Sequence, residues 1–238
     1  MHITICTAVW KRPEIFALFA RGVELLRSSS HATISVVVAG SEGPRSRRMV
    51  EQWPYHYIET ENNPLSNKMN ATVLRAKALQ SDYVLCMGSD DILHPNLFAL
   101  LERKMREGID FIGLTDFYFY HIPTRKAMYW GGYRRGPRKG QTVGAGRVLS
   151  AKLLNQLGWK PWGSGLDKML DMSMLNNIKA TEHTAYSFSC MAHGVHGVDL
   201  KSETNLTPFA NWDNSCIIDN HLIKHNFPDV WNFAGEIV

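Results

Sequence analysis

The chain has 238 residues, of which 45% are hydrophobic and 20% are charged, as in an ordinary globular protein. Its apolar runs are only strand-length, which excludes a membrane-spanning helix, and no signal-peptide pattern is present, so we expect a cytoplasmic protein without a membrane partner. The net charge of +4 is too small to indicate a nucleic-acid-binding protein by itself, and the four scattered cysteines are expected to be reduced thiols.

The first half of the sequence alternates between predicted strands and predicted helices. Runs of β-branched and apolar residues predict strands, and apolar residues at helical spacing, with prolines near the starts, predict helices. The predicted strands are 2–8, 33–39, 55–59, 82–87 and 110–114, and the predicted helices are 13–26, 66–80 and 95–108. This alternation predicts an α/β fold with a mostly parallel sheet and helices on both of its faces.

The second half of the sequence is less regular. Residues 115–148 are rich in aromatic residues, glycine and arginine, and no element is predicted there. Beyond them, short helices are predicted at 150–158 and at about 165–176, a strand at 184–192 and a C-terminal helix at 214–227. Because no internal repeat or linker interrupts the chain, we expect a single domain over residues 1–238.

Two adjacent carboxylates follow the predicted strand 82–87 in the stretch CMGSDDILHP. In open α/β sheets, ligands bind outside the carboxyl ends of the strands, where Asp90 and Asp91 lie. The two would repel each other unless a positive charge neutralised them, and a hard cation such as Mn²⁺ or Mg²⁺ does so while keeping positions for substrate phosphates. The alternative is a turn in which Asp90 caps the helix that starts near Pro95.

Four motifs, taken in order, resemble the glycosyltransferases of the GT-A fold, in particular the large family-two group. They are TAVWKRPE after the first strand, VVVAGSE at the end of the second, an Asn-x-Pro-Leu-x-x-Lys-x-Asn segment from Asn62 to Asn70, and GSDDIL. The resemblance covers residues 1–115 well and is thinner over 140–205. It implies a nucleotide-sugar-binding half over 1–115 and an acceptor-binding half over 116–238.

The resemblance implies roles for the matching residues. Asp91 resembles the last acid of the family's metal motif and is expected to bind Mn²⁺ or Mg²⁺, with His196 as a further metal ligand. Ser89 stands where the family has the first acid of that motif. The residues expected to bind the nucleotide sugar are Thr7, Ala8, Trp10, Arg12, Glu42, Lys68, Ser89, Asp90 and Lys201.

Asp167, in GSGLDKML, resembles the acid before the acceptor helix, which is the general base of inverting family members. Such a carboxylate removes the acceptor hydroxyl proton as the oxygen attacks the anomeric carbon. The alternative is a helix-start residue that the helix dipole favours. For Cys190, His193 and His196, the spacing is also compatible with a zinc site, and an ordinary loop is the other alternative.

The basic segment YWGGYRRGPRKGQ contains Arg134, Arg135 and Arg138 among glycines and aromatic residues. Clustered arginines suit anionic ligands. The sequence does not identify the acceptor. One hypothesis is that the acceptor is a polyanion, such as hydroxymethylated DNA, which these arginines bind. The alternative is a mobile loop that closes over the donor pyrophosphate.

The resemblance, together with these residues, implies a metal-dependent, inverting hexosyl- or pentosyltransferase that uses a nucleotide sugar, with a UDP-sugar favoured. Two other functions remain open. A nucleotidyltransferase shares the fold and the metal carboxylates, but it usually carries a glycine-rich phosphate loop that TAVWKRPE lacks. A non-catalytic nucleotide- or nucleic-acid-binding module is the second, and Ser89 in place of an acid keeps it open.

Overall fold

A computed structural model describes residues 1–202, 205, 209 and 216–236. No helix in this part of the chain is long and apolar enough to cross a bilayer. The elements, in chain order, are β1 (His2–Ala8), α1 (Pro13–Ser29), β2 (Thr33–Gly40), α2 (Pro44–Val50), β3 (His56–Glu59), α3 (Leu65–Ala78), β4 (Tyr83–Cys86), β5 (Asp91–Leu93), α4 (Pro95–Arg106), β6 (Phe111–Leu114), β7 (Phe117–His121), β8 (Lys126–Trp130), β9 (Arg147–Ser150), α5 (Ala151–Gln156), α6 (Leu170–Lys179), β10 (Ala185–Phe188), β11 (Gly197–Lys201), β12 (Ile217–Ile218), α7 (His221–Asn226) and α8 (Pro228–Glu236).

A seven-stranded sheet forms the centre of the molecule, in the order β10-β6-β9-β4-β1-β2-β3. Strands β1, β2, β3 and β4 pair in parallel, β10 runs parallel to β6, and only β9 runs antiparallel to its neighbours. The predicted mostly parallel sheet is therefore confirmed. Parallel strands carry their carboxyl ends to one edge, which is where a ligand site is expected.

Helices cover both faces of this sheet, because alternate residues of each strand point to opposite sides. From β1, Ile3 and Ile5 pack with α1 and α4 in one hydrophobic cluster. Cys6 packs with α3, α5 and α6 in a second cluster on the other face. The structure thus has the layered α/β architecture that the sequence predicts.

A second, five-stranded sheet has the order β12-β8-β7-β11-β5. Its β7–β8 hairpin lies within 115–148, where the sequence predicts no element, and β9 of the central sheet begins at the end of that stretch, at Arg147. This sheet positions the functional site, because it pairs β11 antiparallel with β5, directly after the end of β4.

Some predicted boundaries are wrong. Ile217 and Ile218 pair with β8 as a strand, so the predicted helix 214–227 is reduced to α7, and residues 214 and 215 lie outside the described part. The helix predicted at about 165–176 begins only at Leu170, because Gly165 adopts φ +80 and Met169 is left-handed at the N-cap. The cap of 150–158 is confirmed, since the Ser150 side chain accepts from the Leu153 N–H.

Asp110, directly before β6, links the ends of β6, β9 and β10 in the central sheet through hydrogen bonds. Its buried carboxylate accepts hydrogen bonds from Ser150 Oγ at 2.8 Å, Lys152 Nζ at 3.0 Å and the Thr184 N–H at 3.0 Å. Burial would raise the pKa of Asp110, but these hydrogen bonds outweigh it and lower the pKa to about 2. A carboxylate with a depressed pKa stabilises the fold above its unfolded pKa, and that contribution is lost as the pH falls through the folded value.

We therefore expect the wild type to lose about 2 kcal/mol of unfolding free energy between roughly pH 4 and pH 2 through this group. Asp110→Asn should be less stable at pH 7 and should lack this part of the acid dependence. Urea unfolding across that pH range measures both quantities, with the exposed Asp229→Asn as the matched control. An unchanged acid dependence in Asp110→Asn would contradict the assignment.

Candidate active site

Three carboxylates meet at the carboxyl end of β4. Asp90 and Asp91 follow that strand, and the antiparallel register of β5 and β11 sets Asp199 opposite Asp91. One oxygen from each of these three residues lies within 4.8 Å of the other two. Carboxylate oxygens gathered in this way are the ligands that hard divalent cations prefer. We call Asp90, Asp91 and Asp199 the carboxylate cluster.

Gly88 allows the two adjacent aspartates to fold back over the end of the strand. Its N–H donates to Asp91 Oδ2 at 2.6 Å. A Cβ at this position would lie 2.5 Å from Asp90 Oδ1 and 3.0 Å from Asp91 Oδ2. Any larger residue would displace the carboxylates, so the glycine before Ser89 is part of the site.

Two basic side chains offset part of the cluster's charge. The Arg12 guanidinium lies 2.9 Å from Asp90 Oδ2, and the Asn205 amide donates to the same oxygen at 2.8 Å. The Lys201 ammonium lies 2.6 Å from Asp199 Oδ2. With every group ionised, three negative charges face two positive ones, so the site retains a net attraction for a cation.

The protonation behaviour of the cluster also reflects crowded negative charge. Burial raises the pKa of Asp91, and the charges of Asp199 and Asp90 raise it further. Burial raises the pKa of Asp199 to about 7, although Lys201 opposes that change. Asp199 Oδ1 is buried and has no hydrogen-bond partner among the described residues. A buried, unpaired carboxylate oxygen beside two further carboxylates fits a hard divalent cation.

The turn between β1 and α1 directs Arg12 toward the cluster. Lys11 and Arg12 both adopt left-handed backbone conformations, with φ of 57 and 58. Such conformations are costly for residues other than glycine, and they persist where surrounding contacts enforce them. Here the Lys11 N–H donates to Glu42 Oε2 at 2.6 Å, and Arg12 pairs with Asp90.

Lys68 joins the carboxyl ends of β1 and β2, beside the expected nucleotide position. Its Nζ donates to the Val9 carbonyl and to Ser41 Oγ, both at 2.8 Å. Burial lowers the pKa of Lys68 to about 8, although Glu42 and Glu59 act in the opposite direction. A desolvated ammonium at this strand edge suits an anionic or hydrogen-bond-accepting ligand.

The other residues expected at the nucleotide differ in accessibility. Trp10 is exposed, with the Lys11 ammonium 4.1 Å from its ring centroid, and Ala8 is partly exposed. Thr7 is fully buried, and its Oγ1 has no partner within the described residues. Of these, only Trp10 and Ala8 present surface to a ligand, and the assignment of Thr7 stays a prediction.

Glu42 is held by the protein itself. Besides the Lys11 N–H, its carboxylate lies 3.7 Å from Arg45. A cleft of ≈ 240 Å³ adjoins it, with Arg45, Arg48 and Gln52 among its lining residues. To contact the nucleotide base, Glu42 would therefore have to share its carboxylate oxygens between the base and these partners, or release its contacts with the Lys11 N–H and Arg45.

His196 is not part of the carboxylate cluster. Its ring makes an edge contact with Tyr118, with centroids 5.5 Å apart, and burial and His94 lower its pKa. The third residue of the cluster is Asp199, three positions later. The assignment of His196 as a metal ligand stays a prediction, and its buried Nδ1 has no partner among the described residues. Cys190 and His193 likewise lie outside the group of possible metal ligands that the described residues form.

Asp167 is exposed and lies at the N-terminus of α3. Its Oδ1 accepts a hydrogen bond from the Leu65 N–H at 2.9 Å. The preceding segment runs along the same helix, since the Ser66 N–H donates to the Leu166 carbonyl at 2.8 Å. Asp167 therefore caps α3 rather than its own following helix, and its second oxygen is the one available for a base.

The basic segment is only partly exposed. Arg138 stacks on Tyr133 with its guanidinium carbon 3.6 Å from the ring centroid, and it approaches Asp171 at 3.5 Å. Arg134 and Arg135 are exposed. The position of Arg138 is thus fixed by protein contacts, whereas the other two arginines face solvent.

A line of aromatic contacts joins this segment to the carboxylate cluster. Tyr133 packs edge-on against Trp130, with centroids 4.9 Å apart, and Trp130 stacks on Phe119 at 5.8 Å. The Lys201 ammonium lies 4.9 Å from the Phe119 centroid and bonds Asp199. Side-chain contacts thus link the arginine segment to the cluster, and they run through Phe119 and Lys201, which are both buried.

Solved structures share this architecture. The mannosyltransferase PcManGT from Pyrobaculum calidifontis, in complex with GDP-Man and Mn²⁺, matches with a TM-score of 0.56 and 14% identity, over 87% of this chain and 59% of that chain. S. aureus TarS 1–349 matches with a TM-score of 0.54 and 9% identity, over 86% and 59%. The chain has the GT-A fold.

A complex of TarS 1–349 with UDP-GlcNAc matches with a TM-score of 0.53 and 14% identity, over 86% of this chain and 60% of that chain. The chain thus spans about three fifths of the length of these solved chains. No protein-family model matches the sequence, and a comparison with curated proteins gives no match. The likeness establishes the GT-A fold, and the activity has to be argued from the site.

Proposed function

We propose that this protein is a metal-dependent glycosyltransferase that moves a sugar from a nucleotide sugar to an acceptor hydroxyl, with inversion. The observation that carries the proposal is the carboxylate cluster at the carboxyl end of β4 in a GT-A fold. Its three acids, with an unpaired buried oxygen on Asp199, suit Mn²⁺ or Mg²⁺. The solved neighbours carry UDP-GlcNAc in one case and GDP-Man with Mn²⁺ in another, which supports a nucleotide-sugar donor.

Each residue near the cluster has a role in this proposal. Asp91, Asp199 and Asp90 hold the cation, which supplies positive charge to the leaving diphosphate. Arg12 and Lys201 orient that diphosphate through charge-assisted hydrogen bonds.

The donor's nucleoside lies along the ends of β1 and β2. Trp10 offers an exposed ring to the base, Lys68 fixes the pocket by joining Val9 and Ser41, and Glu42 lies beside it. Asp167 takes the acceptor proton. We favour UDP as the nucleotide, and GDP is the alternative that the panel below includes.

Incubation with UDP-, GDP- and CMP-sugars, with and without Mn²⁺, tests the proposal. We expect one donor to raise the unfolding temperature only when Mn²⁺ is present, and to release a nucleoside diphosphate or, from a CMP-sugar, the monophosphate. Pyrophosphate release from a nucleoside triphosphate and a sugar phosphate would instead identify a nucleotidyltransferase. Stabilisation without turnover of any donor would identify a non-catalytic binding module.

We further propose that the acceptor is polyanionic, with hydroxymethylated DNA as one form. Arg134 and Arg135 are exposed at the end of the aromatic line, where stacking and phosphate contacts can combine. The alternative is that this segment closes over the donor pyrophosphate. The two readings differ in the response of binding to salt.

The salt dependence of duplex binding distinguishes them. Each phosphate contact contributes a slope of about −0.9 to log K against log salt. Arg134→Ala/Arg135→Ala should lower the steepness of the wild-type slope by roughly two contacts while leaving donor affinity unchanged. Lys139→Ala, in the same segment, serves as a comparison, and Arg138→Ala tests the arginine that Asp171 holds. A wild type without DNA affinity at low salt would refute the polyanion proposal, and loss of donor affinity in the double variant would assign the segment to the donor.

A further inference from the structure

Lys201 is a buried lysine whose charge depends on the carboxylate cluster. The residue is 5% exposed, and its Nζ lies 2.6 Å from Asp199 Oδ2. A buried ammonium is stable only beside a countercharge. The carboxylate that supplies this countercharge is also one that a divalent cation needs. Lys201 holds Oδ2 and leaves Oδ1 without a partner among the described residues, so a cation bound through Oδ1 would share the single charge of this carboxylate with the ammonium and repel it.

Arg12 differs from Lys201 in how it is held. The turn that carries Arg12 is left-handed at two successive residues and is tied to Glu42, so the guanidinium is fixed on Asp90. Lys201 lies two positions after Asp199 on the same strand, so both side chains point to one face. Its ammonium sits on a flexible four-carbon stem and can exchange partners without any movement of the backbone.

We propose that Lys201 is an internal counterion of the metal site, which leaves Asp199 when a divalent cation and a nucleoside diphosphate bind together. This inference rests on the proposed function. In the metal-free protein the ammonium neutralises Asp199. In the loaded protein the cation takes that carboxylate and the ammonium pairs with a diphosphate oxygen. A cation alone weakens the Lys201–Asp199 pair by charge repulsion without giving the ammonium a new partner, so cation and nucleotide bind cooperatively.

Titration of Lys201→Met with Mn²⁺ alone, followed by the free-ion electron paramagnetic resonance signal, tests this coupling. We expect the variant to bind Mn²⁺ about tenfold more tightly than the wild type, because the competing charge is gone. UDP, with GDP in parallel, should bind the Mn²⁺-loaded variant about tenfold more weakly, because the diphosphate loses a partner. Lys201→Arg retains the charge and should keep the wild-type order of affinities.

Lys152→Met is the matched control, because it removes a Lys–Asp pair, with Asp110 at 3.0 Å, away from the cluster. It should leave both affinities unchanged. If Lys201→Met binds Mn²⁺ alone no more tightly than the wild type, the counterion role is overturned, while the proposed function stands as long as the wild type binds Mn²⁺ with a nucleotide. A wild type that binds neither would remove the proposed function itself. Circular dichroism checks that the variant folds, and Lys201→Gln replaces it in the same titration if it does not.

Discussion

Asp91→Asn is expected to abolish sugar transfer and to remove the Mn²⁺-dependent stabilisation by the donor nucleotide. In the wild type, a ligand at a hundredfold excess over its Kd stabilises the fold by roughly 2.7 kcal/mol. Asparagine retains an oxygen for the Gly88 N–H but removes the charge that holds the cation. Thermal unfolding with UDP or GDP, with and without Mn²⁺, measures the loss directly.

The same variant should become more stable in the absence of metal. Burial and the charges of Asp199 and Asp90 raise the pKa of Asp91, so the folded protein holds this proton more tightly than the unfolded chain does. At pH 8 this carboxyl is ionised in the unfolded chain, so placing it in the folded site costs folding free energy, and that cost fades as the pH falls toward the ordinary pKa of an aspartate. Asparagine removes the cost, so the metal-free variant should unfold at a higher temperature than the wild type at pH 8.

This pair of opposite effects distinguishes a metal ligand from a residue that merely supports the fold. A structural aspartate would lower stability in every condition when changed. Asp229→Asn, an exposed aspartate in α8, controls for the chemical change and should alter neither quantity. An undiminished Mn²⁺ response in Asp91→Asn would refute the assignment of Asp91.

The sequence predicted the central sheet because its strands carry local signals. Each of the buried parallel strands is a short apolar run between turn residues, and each neighbouring helix has an apolar stripe. The hairpin β7–β8 was missed for the opposite reason. In β7, Phe117 through Tyr120 are all buried, so the alternation that marks a half-exposed strand is absent. A run of aromatic residues on both faces is then hard to tell from an irregular segment.

The carboxylate cluster could be predicted only in part. Asp90 and Asp91 lie at a strand end that local patterns reveal, but Asp199 joins them through the pairing of β5 with β11, which are far apart in sequence. The sequence analysis expected His196 as a further metal ligand and did not single out Asp199 as one. Side chains alternate along an extended chain, so two positions separated by three face opposite sides. Once Asp199 points at the cluster, His196 points to Tyr118.

Asp167→Asn is expected to reduce the rate of transfer by about 10²–10⁴-fold while leaving donor binding unchanged, because a positioned general base accelerates a reaction by that factor. The asparagine variant should also retain the local structure. Asp167 Oδ1 accepts from the Leu65 N–H at 2.9 Å, and asparagine has an oxygen that can keep this cap on α3. Initial rates at saturating donor, together with donor affinity from titration, give both quantities.

Asp167→Ala separates the cap from the base. It removes both, so it should lose about 1 kcal/mol of unfolding free energy in addition to the transfer rate, whereas the asparagine variant should keep wild-type stability.

Near-normal turnover in Asp167→Asn would show that the base lies elsewhere. Asp116 and Asp199 would then be the next residues to change. Asp116 already accepts from Tyr129 at 2.8 Å and from the Cys190 N–H at 2.5 Å, so taking a proton would require it to give up an existing contact. Asp199 is likewise engaged with Lys201 and is needed for the cation, so Asp167, which is exposed and bonds only the Leu65 N–H among the described residues, is the first carboxylate to change.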